Sequence, residues 1–166
     1  GFASLDSITQ GWQASDLIIL AARPSVGKTA FSLNIVRNAA VDHNMPVAFF
    51  SLEMPAIQLA KRLMTSETGL EAEKIKGGVR LQDYEWQQLE YKLKDLSKAP
   101  IYIDDTPSLP IMEFRTKAKN LVKNKGVRLI VVDYLQLMRT GKEENRAVAI
   151  GAISRGLKIL AKDVGV

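Results

Sequence analysis

Four short apolar runs punctuate the chain: Leu17 to Ala21, Val47 to Leu52, Ile101 to Ile103 and Leu129 to Val132. Runs of this length, dense in branched and aromatic residues, predict strands buried on both faces. Between them the apolar positions switch to helical spacing. Trp86, Leu89, Leu93 and Leu96 form one stripe, Phe114, Ala118, Leu121 and Val122 a second, and Ile153, Leu157, Leu160 and Val164 a third. Such stripes are core-facing surfaces and carry no chemistry of their own. Strands alternating with helices predict an α/β fold, a doubly wound and mainly parallel sheet of four strands with flanking helices. Breaks at Gly69, Gly77-Gly78, Pro107 to Pro110 and Gly141 fall between elements, and no repeat or linker interrupts the pattern. Residues 1–166 are therefore expected to be one domain. Gly1 enters it directly and Val164-Gly165-Val166 stops where another strand is expected, so the reading is of a domain cut at both ends.

Composition narrows the chemistry. A chain of 166 residues with 46% hydrophobic content buries a core without staples. It has no cysteine, which excludes disulfides, thiolate metal sites and cysteine nucleophiles. Its one histidine, His43, sits in an expected loop, which argues against a histidine metal site or triad. The apolar runs are far too short to span a bilayer, so the expectation is a soluble, cytoplasmic protein with no membrane partner. A formal charge of +5 favours a polyanionic partner, yet the same excess suits an ordinary solvated surface.

The first apolar run leads into Ala22-Arg23-Pro24-Ser25-Val26-Gly27-Lys28-Thr29, which ends as a phosphate-binding P-loop ends. Gly27 lets the backbone approach a phosphate, and the N–H groups from Ser25 through Val26, Lys28 and Thr29 to Ala30 can ring the anion at a helix N-terminus. Lys28 would reach the β and γ phosphates of ATP or another nucleoside triphosphate, and the Thr29 hydroxyl would bind Mg²⁺. Ala22 stands where the general pattern has its first glycine.

Two carboxylates end apolar runs. Asp133 closes Leu129-Ile130-Val131-Val132 as a Walker B aspartate does, beside the metal at the carboxyl edge of the sheet. Glu53 closes Phe49-Phe50-Ser51-Leu52, on the strand after the P-loop helix, where it can polarise the attacking water. Tyr134, not glutamate, follows Asp133, so Glu53 fills the catalytic role from a neighbouring strand, the arrangement of RecA-like P-loop NTPases. A second reading of Glu53 is a carboxylate stabilised by a helix N-terminus near Pro55.

Read together, Gly1-Phe2 to Leu5-Asp6, the P-loop, Phe50-Ser51-Leu52-Glu53-Met54, Tyr102-Ile103-Asp104-Asp105 and Asp133-Tyr134-Leu135-Gln136-Leu137-Met138 resemble the C-terminal motor domain of DnaB-type replicative helicases. Ala22 is usual in that family. The resemblance implies a homohexameric ring in the intact protein that encircles single-stranded DNA and unwinds duplex, with primase and a helicase loader as partners and a bacterial, nucleoid-associated setting. It also makes Gln136 a sensor of the γ-phosphate; a capping amide in a loop is the plainer alternative. In the family a further strand, a DNA-binding loop and an arginine finger lie past the point where this chain stops, which leads us to expect slow hydrolysis from the piece alone.

Two polar segments stay open between roles. Arg115, Lys117, Lys119, Lys123, Lys125 and Arg128, opposed only by Glu113, suit either DNA phosphates or the wet face of a crossover helix. Residues 139–146 are either a channel-facing loop or an exposed connection. Other classes compatible with the P-loop are a RecA-like recombination or repair ATPase and a nucleotide-gated ring or loader module. A small-molecule kinase fits less well, because no lid-like arginine cluster follows the sheet.

Overall fold

A computed structural model describes residues 2–78, 80–138 and 146–166. At its centre lies β1 (Val47–Ser51), with all five residues buried. It pairs in parallel with β2 (Ile101–Asp104) on one side and β3 (Leu129–Asp133) on the other, in the order β2-β1-β3. The register sets Val47 beside Ile101 and Leu129, and Ser51 beside Asp133. Each crossover is helical, as parallel pairing requires.

The period-two alternation of β1 divides the core. Val47 and Phe49 face one cluster with Leu33, Val36 and Ala40 of the segment after the P-loop and with Leu59 and Leu63. Ala48, Phe50 and Leu52 face the other, with Phe114, Ala118, Ile153, Leu157 and Leu160. The first cluster is built by α2 (Lys28–Arg37), its π-helical continuation Asn38–Asp42, and α3 (Ala56–Thr68), with α1 (Ala3–Thr9) preceding them in the chain. After the short α4 (Ala72–Lys76), α5 (Asp83–Lys98) packs on α3. The second face is covered by α6 (Ile111–Lys125) and α7 (Arg146–Val164), with Phe50 and Phe114 meeting edge to face at 4.7 Å. The result is a three-layer α/β arrangement. No helix among the described residues is long and apolar enough to cross a membrane.

Two expectations are corrected. Leu17 to Ala21 forms no strand, so the sheet of the described residues has three strands rather than four. Just before this segment, Ser15 is tied to the end of α7: its N–H donates to the Val166 carbonyl, and Lys158 Nζ donates to its carbonyl at 2.7 Å. From there the segment stands off from β3 across a cavity of about 570 Å³, lined by Leu17 to Ala22 on one side and Leu129 to Gln136 on the other. Leu17 packs on the core, while Ile18, Ile19 and Leu20 are 43%, 56% and 42% exposed. Trp86 likewise leaves its expected stripe: Leu89 is buried on α5, but Trp86 is 56% exposed. A hydrophobic pattern reports what a segment can bury, and the partner that would bury it is set elsewhere in the chain.

Candidate nucleotide site

The P-loop turns on two left-handed residues, Ser25 (φ 65°) and Gly27 (φ 106°). Gly27 is the N-cap of α2, with no side chain closing the helix start. The first backbone bond of the helix runs from the Phe31 N–H to the Gly27 carbonyl at 2.9 Å. The N–H groups of Lys28, Thr29 and Ala30 therefore point forward with no intrahelical acceptor, at the positive end of the helix dipole. Ser25, Val26 and Gly27 are exposed on the loop before them.

Three of the residues read from the sequence converge. Asp133, at the end of β3, is only 6% exposed. The Thr29 hydroxyl donates to its Oδ2 at 2.6 Å, and Lys28 Nζ lies 3.5 Å from its Oδ1. Lys28 also rests 4.2 Å above the Tyr134 ring, a contact that sequence spacing does not signal. In this state the lysine charge is balanced within the protein. A polyphosphate would have to compete with Asp133 and Tyr134 for it.

The donor set fits a hard cation. Asp133 and Thr29 offer a carboxylate and a hydroxyl oxygen already within 2.6 Å of each other, beside N–H groups suited to phosphate. Mg²⁺ is ordinarily held this way, by one or two protein oxygens together with substrate phosphates.

Glu53 stands apart from this trio, exposed, two residues beyond Ser51 at the end of β1. Its neighbours are held. The Ser51 hydroxyl donates to the Met54 carbonyl at 2.7 Å and faces the Met54 N–H at 3.2 Å, and the Leu52 N–H donates to the Asp133 carbonyl at 2.8 Å. At the start of α3 the Ala56 N–H donates to Asp105 Oδ2 at 2.8 Å. The carboxylate serving that helix start is thus Asp105, from just past β2, and α3 carries no acidic residue in its own first turn. Sequence reasoning gave neither Ser51 nor Asp105 a role: the Asp105 contact spans 49 residues and leaves no local spacing to detect, whereas the Ser51 bonds to Met54 span only three.

Gln136 is exposed in the 3₁₀ turn Leu135–Leu137 directly beyond β3. The polar loop expected at 139–146 lies, but for Arg146, outside the described residues. The basic face of α6 is less free than its sequence suggested. Arg115 and Lys119 approach Asp163 at 3.5 and 3.6 Å, and Lys117 reaches Asp104 at 2.8 Å and Glu113 at 3.6 Å.

A phosphate loop and a strand-end carboxylate meeting at the carboxyl edge of a parallel sheet define the P-loop class of α/β domains. Comparison with known families is more specific: the family model of the DnaB-like helicase C terminal domain matches residues 1–166, and the chain belongs to that family. It is 48% identical over 168 residues to the replicative DNA helicase DnaB of Geobacillus stearothermophilus and 44% identical to the replicative DNA helicase DnaC of Bacillus subtilis. All of the chain is covered in both, but only 37% of either relative. Among solved structures, a DnaB-like replicative helicase, described with its interactions with primase, superposes over the whole chain and 40% of its own length, with a TM-score of 0.90 at 34% identity. A second solved structure, an ATPase domain, gives 0.91 at 34% identity, over the whole chain and 60% of its own length.

Proposed function

We propose that the chain is the motor domain of an ATP-dependent replicative DNA helicase, one RecA-like unit over residues 1–166. It binds ATP or another nucleoside triphosphate with Mg²⁺, and in the intact protein it works on single-stranded DNA as a homohexamer. The observation that carries this reading is the convergence of Lys28 and Thr29 on Asp133, 104 residues away from Thr29. The helicases among its relatives support the coupling to DNA, and the solved helicase described with primase supports primase as a partner. A helicase loader and a place in the bacterial cytoplasm at the nucleoid follow from the same reading.

Each residue then has a task. The backbone of Ser25 to Ala30 receives the phosphates, with the amides at the start of α2 aimed at them. Lys28 leaves Asp133 for the β and γ phosphates, while Thr29 and Asp133 turn their oxygens to the cation. Mg²⁺ held by Thr29 and Asp133 would supply positive charge to neutralise that developing on the phosphates. Glu53 takes the proton of the attacking water, and Gln136, beyond β3, reports whether the γ-phosphate is present.

The Glu53→Gln variant of the intact protein tests this. The amide keeps the shape and loses the base, so ATP turnover and forked-DNA unwinding are expected to fall about 10² to 10⁴-fold with nucleotide affinity retained. Unchanged unwinding removes Glu53 from the mechanism.

A further inference from the structure

Glu53 is exposed and no packing of its own is needed to aim it, because its flanks are fixed. Leu52 is bonded to the Asp133 backbone, Met54 to the Ser51 hydroxyl, and Ala56 to the Asp105 carboxylate. Three successive alternate residues are thus anchored to β3, β1 and the end of β2. The first anchor is a backbone bond that no substitution of a side chain removes. The other two are side chains, and they act on the far side of Glu53.

We propose that Asp105, together with Ser51, is a positioning residue for hydrolysis: it holds the Leu52–Ala56 turn so that the Glu53 carboxylate faces the nucleotide edge of the sheet. This rests on the reading of Glu53 as the base. Asp105 touches neither phosphate nor water. Its carboxylate takes the N–H at the start of α3, leaving Glu53 free of that helix end. Ser51, 2% exposed and level with Asp133 in the ladder, closes the turn from within. Both bonds are lost to alanine, whereas asparagine at position 105 keeps an acceptor oxygen of nearly the same reach.

The test is steady-state ATP turnover and nucleotide binding in intact protein carrying Asp105→Ala, Asp105→Asn, Ser51→Ala, Glu53→Gln and the Asp105→Ala/Glu53→Gln pair. A displaced base costs rate and not binding, so Asp105→Ala is expected to lower kcat about tenfold to a hundredfold with nucleotide Kd within about twofold. Ser51→Ala follows in the same direction. Asp105→Asn restores kcat to within a few fold of the parent. Because Asp105 acts through Glu53, the paired variant is expected to be no slower than Glu53→Gln alone. A full drop in Glu53→Gln with parental kcat in Asp105→Ala overturns the positioning role and spares the reading of Glu53. A further drop in the paired variant, or loss of nucleotide binding in Asp105→Ala that asparagine does not mend, overturns it as well. Parental turnover in Glu53→Gln brings down the reading of Glu53, and the positioning role with it.

Discussion

At Gly27 the reason for the residue is its backbone. A φ of 106° is a conformation that side-chain-bearing residues rarely adopt, and an added Cβ would meet nothing within 4 Å. The obstacle to substitution is therefore torsional, of about 1–3 kcal/mol. Gly27→Ala relieves that strain by rotating the loop, which moves the N–H groups of Lys28 to Ala30 off a shared centre. Nucleotide affinity is expected to fall about tenfold or more, measured by equilibrium binding of a fluorescent ATP analogue. Parental affinity would show that the left-handed loop is not needed for phosphate. The same residues show why this half of the site was legible from sequence. Gly27, Lys28 and Thr29 are contiguous, and Asp133 ends an apolar run, so local spacing carries the information. Asp105 reaches the Ala56 N–H over 49 residues, and Tyr134 matters through the ring it places under Lys28, so spacing did not mark them, while the Ser51 hydroxyl bonds Met54 only three residues on.

Between elements, α2 and α3 are joined far from the phosphate end. Arg37, the last residue of α2, donates from Nε and Nη2 to Glu67 near the end of α3 at 2.6 and 3.0 Å, and from Nη1 to Asp42 at 2.6 Å. The fork spans the π-helical segment and clips it to both helices. Arg37 holds the Glu67 carboxyl below the usual glutamate range, against the opposing effect of partial burial. A lowered pKa in the folded chain means stability that is present above the unfolded value, about 4.3, and lost as pH falls through the folded one. Glu67→Gln is expected to cost about 1.5 kcal/mol at neutral pH and to flatten the acid limb of the stability curve below about pH 4.3, read by urea unfolding across pH. An unchanged acid limb would remove this pair as its source. β1, β2 and β3 appear where their apolar runs lie, because helices cover both faces of the sheet. Leu17 to Ala21 reads the same way by composition, yet the ladder bonds that define a strand are not made, while Ser15 just before it is bonded to Val166 and Lys158.

Over the whole molecule the charge excess has to be divided between partners the chain supplies and partners it would recruit. A net +5 describes the total and is blind to position. The cations of α6 avoid the Phe114 and Ala118 stripe as amphipathic helices require, and three of them meet carboxylates from β2, from α7 and from α6 itself. Lys117 is the most engaged. Its ammonium donates to Asp104 and to the Thr106 hydroxyl, both at 2.8 Å, and the bond to Asp104 raises its pKa. A lysine so occupied would have to give up those bonds to reach a phosphate, which favours the reading of this face as a solvated, internally paired surface. Each phosphate contact on single-stranded nucleic acid contributes about 0.7 to the slope of log affinity against log salt. Lys117→Gln in the intact protein is therefore expected to leave that slope unchanged while lowering thermal stability, since it leaves Asp104, only half-buried, without its cation. A slope reduced by about 0.7 with stability intact would assign Lys117 to DNA and reverse the division of charge argued for this face.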